Sequence, residues 1–145
     1  MATKFIESES SKTVFHFFCI NTSLNDYHFC WALNEVLNLN LTRIEDITID
    51  DSSLHTFSVF QDNTSNPLLS YSLLSLKTEN GMLMKDLTGF DFLLCVDGKI
   101  NKKEIDKLIT LIANIKNVLL ITNLENKKTK ATTIADLSYL MEMIG

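Results

Sequence analysis

Leu54-His-Thr-Phe-Ser-Val-Phe-Gln61, Leu68-Leu-Ser-Tyr-Ser-Leu-Leu-Ser-Leu-Lys77 and Met82-Leu-Met84 follow one another with only short polar connections between them. Those connections, Asp62-Asn-Thr-Ser-Asn-Pro67 and Thr78-Glu-Asn-Gly81, are made of turn-forming residues. Asn80-Gly81 is the strongest hairpin signal in the chain. In the first segment His55, Phe57, Val59 and Gln61 alternate with Leu54, Thr56, Ser58 and Phe60, the period of two of a half-buried strand. Strands joined by such short loops pair antiparallel, because a parallel pair needs a crossover of about a dozen residues or more. The block therefore reads as an antiparallel meander, which places the chain in the α+β class.

Upstream, Ile47–Ile49 is a further short extended run, and Asn38-Leu-Asn-Leu-Thr-Arg-Ile-Glu-Asp46 leads into it in alternation. Residues 23–38 read as a first helix, capped by Ser23 or Asn25, with Asp26 in the first turn where the helix dipole favours an anion. At 100° per residue, Phe29, Cys30, Leu33, Val36 and Leu37 share one face. Tyr27 and Trp31 fall on the other side with Asn34, Glu35 and Asn38. Thr13–Thr22 is aromatic and β-branched enough for an interior strand, and the polar residues 1–12 read as a flexible leader before a single domain over 13–145.

Downstream, Phe90–Val96 is a strand ended by Asp97-Gly98. Asn101-Lys-Lys-Glu104 has the spacing of a capping box, and the helix after it carries Ile105, Leu108, Ile109, Ile112 and Ile115 on one face. Asn117–Thr122 reads as a short buried strand, and Asn123–Lys130 as a polar loop. Thr133-Ile-Ala-Asp136 is expected to cap a last amphipathic helix with the stripe Ile134, Leu137, Leu140, Met141 and Ile144. The expected architecture is a mostly antiparallel sheet of five to six strands with two helices on one face. The C-terminal helix either caps that sheet or leaves it to meet a partner.

Composition narrows the function classes. With 18 acidic against 13 basic residues the net charge is −5, and Arg43 is the single arginine. Backbone-gripping nucleic-acid binders carry a basic stripe, because counterion release supplies most of their affinity. Here the basic groups are Lys127, Lys128 and Lys130, and more loosely Lys102, Lys103 and Lys107, so nucleic acid is not expected as a strong direct ligand. No run approaches the roughly 20 apolar residues of a membrane span, and the N-terminus lacks an apolar signal core. Cys19, Cys30 and Cys95 lie in apolar runs without a C-x-x-C pair, which fits buried thiols and a cytoplasmic protein.

No motif carries chemistry by itself. His16, His28 and His55 are scattered, so no metal site is expected. No G-x-S-x-G is present, and the glycines at 81, 89, 98 and 145 never cluster into a phosphate loop, so neither catalytic residues nor a cofactor are expected. Asp91 and Asp97 flank a strand and Asp50-Asp51 open a turn, where carboxylates usually bond their own backbone.

The first helix and its exit supply Leu24, Asp26, Tyr27, Trp31, Leu33, Asn34, Leu37, Leu39, Leu41, Arg43 and Asp46. This block resembles the IPExxxVDY family, small proteins of Bacteroidetes, and Phe90-Asp-Phe-Leu-Leu94 followed by Gly98 resembles that family's penultimate strand. The name-giving motif is degraded: Ile112 and Val118 match, whereas Ala113, Asn114, Leu119 and Leu120 stand in place of Pro, Glu, Asp and Tyr. The resemblance implies a divergent member, and it brings no established activity.

Tyr27 and Trp31, spaced i,i+4, form the one offset pair. They read as second-side core under the C-terminal helix, as a partner surface, or as a small-ligand pocket. The candidate interaction surface is Tyr27, Trp31, Asn34 and Glu35 with Leu137 and Met141 from the last helix. The expected function is a non-catalytic interaction or accessory module with a protein partner or a second copy. The alternative is a small-ligand-binding or RNA-processing accessory domain.

Overall fold

A computed structural model of the chain describes residues 14–48, 56–78, 81–125 and 131–144. The polar leader, Asp50-Asp51, Leu54, His55, Asn80 and the Lys127–Lys130 cluster lie outside those residues. Strand β1 (Phe15–Thr22) leads into helix α1 (Asp26–Leu37), then β2 (Thr42–Arg43), β3 (Ile47–Thr48), β4 (Thr56–Phe57), β5 (Val59–Asn66), β6 (Leu69–Ser75), β7 (Lys77–Thr78) and β8 (Gly81–Met82). A 3-10 turn (Lys85–Leu87) precedes β9 (Phe92–Asp97), α2 (Lys102–Ala113), β10 (Val118–Asn123) and α3 (Ala131–Ile144). Six strands form one antiparallel sheet in the order β10-β1-β9-β6-β5-β2. The protein is an α+β domain.

Alternation divides the strand residues between two cores. Phe18 and Ile20 of β1, Leu94 and Val96 of β9 and Leu73 of β6 face α1 and α2, meeting Phe29, Leu33 and Ile112. Their neighbours Phe17, Cys19, Leu93, Cys95 and Leu74 face the other way, toward Leu87 and the α3 residues Leu137 and Met141. The C-terminal helix thus caps the sheet from the side opposite the first two helices. Both of those helices start where their sequence allows. The Asn25 side chain accepts the His28 N–H, and Asn101 and Glu104 close the full capping box.

Four local expectations change. The Leu54–Gln61 run breaks at Ser58, whose hydroxyl meets that of Ser75 at 2.7 Å, and β6 gives way to β7 at the same level. There the chain leaves the main sheet for two small ribbons, β3–β4 and β7–β8, which bring Ile47 and Met82 to the second core. Near the hairpin expected at Asn80-Gly81, β7 pairs with β8 through Lys77–Met82 and Thr78–Gly81, so Gly81 lies in the strand rather than in the turn. The run 62–67 is not a free turn, since β5 continues to Asn66 around an irregularity. Asp62 makes that irregularity, as its buried carboxylate accepts the N–H groups of Thr64, Ser65 and Asn40.

Thr133 does not cap α3, which begins at Ala131. Its hydroxyl donates instead to Asp86 at 2.6 Å, tying the helix to the 3-10 turn. Lastly, the strand expected to be buried over Asn117–Thr122 is β10, an edge strand among the described residues, on which Leu119 and Leu120 are exposed. The end of β9 is tightly sterically set. Gly98 has φ +139°, and an added Cβ would lie 2.6 Å from the Leu68 carbonyl oxygen, so only glycine fits.

Candidate functional site

Trp31 is 66% exposed on the outward side of α1, and Tyr27, one turn earlier, is 59% exposed. The C-terminal helix is on the far side of the sheet, so it does not seal either ring. Leu137 and Met141 are buried in the second core and share no surface with Trp31. The six residues expected to form one surface are therefore divided between two sides of the molecule. The physical reason is that the apolar stripe of α3 covers the sheet face that α1 and α2 leave open.

Tyr27 and Asn34 have structural partners. The Arg43 guanidinium donates from Nη1 to the Tyr27 hydroxyl at 2.7 Å and from Nη2 to both oxygens of Asp46 at 3.0 and 3.1 Å. Those two acceptors, Asp46 first, hold Arg43 still more firmly in its charged form. The Tyr27 ring stands edge-on to Phe60 with centroids 5.8 Å apart, and the Arg43 cation lies 5.6 Å from the Tyr27 centroid. Asn34 accepts the Leu41 N–H at 2.8 Å and donates to the Leu41 carbonyl at 3.2 Å, copying a strand pair with its side chain. Asn38 closes α1 in the left-handed region with φ 56°, which lets the chain reverse toward Leu41. The block Tyr27, Asn34, Leu41, Arg43 and Asp46 thus works as one clasp between α1 and the β2 edge.

Trp31 and Glu35 remain directed outward. With His28 they follow one line of α1, spaced for a single helical stripe, and border a groove of about 480 Å³. Its other wall is Asn114–Asn117, the turn between α2 and β10, which brings Ile115 and Lys116 opposite Trp31 and Glu35. Sequence reasoning missed this wall. Asn114–Asn117 is polar and irregular, and only the packing of α2 beside α1 puts it near Trp31. The groove is lined chiefly by apolar groups, with Glu35 and Lys116 giving one charge of each sign.

Other polar groups are structural or offer little reactivity. Asp91 accepts the Thr22 N–H at 2.9 Å and pairs with Lys77 at 3.0 Å. Both ring nitrogens of His16 face acceptors, Gly98 O and Glu125, each at 3.1 Å. Burial, with a smaller contribution from Asp26, pushes the Cys30 thiol up to about 11, and burial pushes Cys95 higher still, so both stay protonated near neutrality. Asp97, lifted by burial against one hydrogen bond from the Val14 backbone, borders a small polar cleft of about 180 Å³ with Ser70, Ser72 and Gln61. Among the described residues, no three His, Cys, Asp or Glu side chains are grouped to hold a metal ion, and no helix is long and apolar enough to cross a membrane. No protein-family model matches the chain, and a search of curated proteins finds no relative.

Proposed function

We propose that the chain is a non-catalytic cytoplasmic interaction module, a divergent member of the IPExxxVDY family, that docks a protein partner on α1 around Trp31. The observation that carries this reading is the exposure of Trp31 beside an apolar groove, while its neighbour Tyr27 is tied to Arg43. Exposed tryptophans bordering a concave apolar site dominate protein interfaces energetically, because a large rigid ring gives up little conformational entropy on burial. A groove of about 480 Å³ is also the size of a small-molecule site, and that is the second reading.

The test is affinity capture from the native host with wild-type and Trp31→Ala protein, read by mass spectrometry and followed by titration of the partner recovered. Trp31→Ala is expected to weaken association by about 2 kcal/mol or more while the monomer stays folded. Retention of a small metabolite, lost on Trp31→Ala, favours the second reading. Tight, salt-dependent RNA binding favours an RNA-processing accessory role instead.

A further inference from the structure

The two edges of the main sheet differ. The β2 edge is two residues long, and Arg43 with its ion pair to Asp46 stands on it. The β10 edge is Val118-Leu-Leu-Ile-Thr-Asn123, with no charge and no proline, and among the described residues no strand pairs with its outer side. Leu119 and Leu120 are 75% and 52% exposed there. Monomeric sheet proteins guard their edges with short strands, charges, proline or bulges, because an open row of N–H and C=O groups templates further pairing. Here one edge is guarded by its length and charge, and the other only by the bulge at Leu119, between the pairs Asn21–Leu120 and Thr22–Val118.

The hydrogen-bond phase of β10 shows which groups are on offer. Leu124 N–H donates to the Phe17 carbonyl. Alternation along an antiparallel ladder then turns the backbone groups of Thr122 and Leu120 toward β1 and those of Ile121 away from it. Asn123 is buried, so the open part of the edge is centred on Leu120.

We propose that β10 pairs antiparallel with β10 of a second copy of this chain, about a two-fold axis at Leu120, joining the two sheets into one. Symmetry demands that a two-fold axis perpendicular to a sheet set a residue opposite itself, and Leu120 is the exposed residue whose backbone already points inward. In that register Leu120 meets Leu120 of the second copy as a non-hydrogen-bonded pair, the kind in which side chains approach closest. Ile121 then presents its outward backbone groups to the other chain at the level of Leu119, the bulge residue. The charges at the ends select the same direction. The strand is preceded by exposed Lys116 and followed by exposed Glu125, so antiparallel pairing brings Lys116 of one chain toward Glu125 of the other. Parallel pairing would set each charge beside its like.

Light scattering on the eluting full-length chain, at concentrations of about 10 to 500 µM, should give a species of twice the 16.5 kDa chain mass. Leu119→Lys and Leu120→Lys should each halve that mass with an unchanged circular-dichroism spectrum, and Trp31→Ala should leave it whole. Leu120→Cys should cross-link to a covalent dimer under mild oxidation, through two equivalent thiols, with the oxidant taking up the two electrons. Tyr139→Cys, on exposed α3, should not. A wild-type monomer throughout the range overturns the proposal. So does a dimer that survives both lysine variants, a dimer lost with Trp31→Ala, or Leu120→Cys cross-linking no faster than Tyr139→Cys.

Discussion

On one face of the sheet α1 and α2 lie as whole helices started by caps that their own sequence carries, whereas the other face is closed by α3, a 3-10 turn and two short ribbons held through distant partners. Asn25 and the Asn101–Glu104 box act over three residues. On the second face Thr133 reaches Asp86, the Leu83 N–H reaches the Leu76 carbonyl, and the Leu76 N–H reaches the Asp91 carbonyl. The first cover is specified locally and the second is assembled by tertiary contacts. This difference predicts unequal stability, because elements without local signals draw their order from the packing they depend on.

The largest effects come from the buried side chains that fasten each cover. Phe29→Ala empties a fully buried site 5.0 Å from the Phe92 ring and should cost about 3–5 kcal/mol, read by denaturant melting. Leu137→Ala should cost about 2–4 kcal/mol and, by hydrogen exchange, expose the amides of Leu76 and Leu83 before those of α1. Equal loss of protection on both faces would break the comparison and make the domain one cooperative unit.

Asp62→Asn should cost about 2 kcal/mol, since the buried carboxylate accepts several charge-assisted hydrogen bonds that an amide satisfies poorly. Burial alone would raise its pKa, but the hydrogen bonds from Ser65, Asn40 and Thr64 outweigh it and hold the pKa below its ordinary 3.8. A folded-state value below the unfolded one means stability that is present above about pH 4 and lost as the pH falls through the acid range. Wild-type melting temperature should therefore drop on acidification more steeply than that of Asp62→Asn.

Smaller effects sharpen the contrast. Thr133→Val keeps the shape of the buried side chain but removes its bond to Asp86, and about 1 kcal/mol should be lost, seen as earlier exchange within α3 alone. Trp31→Ala should change folding stability by no more than about 0.5 kcal/mol, because the ring is mostly in water. A loss of several kcal/mol on melting would return Trp31 to the core and remove the basis of the docking surface.

Residue patterns carried much of this architecture. The stripe Ile105, Leu108, Ile109, Ile112 states locally which side of α2 is buried, since period 3.6 is a property of the backbone itself. The alternation around Val59 and Phe60 reads as a half-buried strand, whereas the fold buries it on both faces, Phe60 in the first core and Val59 in the second. The turn compositions around the meander likewise made antiparallel pairing necessary. Three features were not readable in this way. A continuous apolar run such as Val118–Ile121 looks alike at an edge and in the interior, because being an edge depends on which strands pair elsewhere. Tyr27 and Trp31 look alike as an i,i+4 pair, yet only Tyr27 lies within reach of Arg43 once β2 pairs with β5. Leu137 and Met141 state that α3 has an apolar side but not which surface receives it. Local periodicity determined the elements and the apolar faces of the helices. The competition among those faces for the same sheet, a property of the whole chain, decided which residues were left in water.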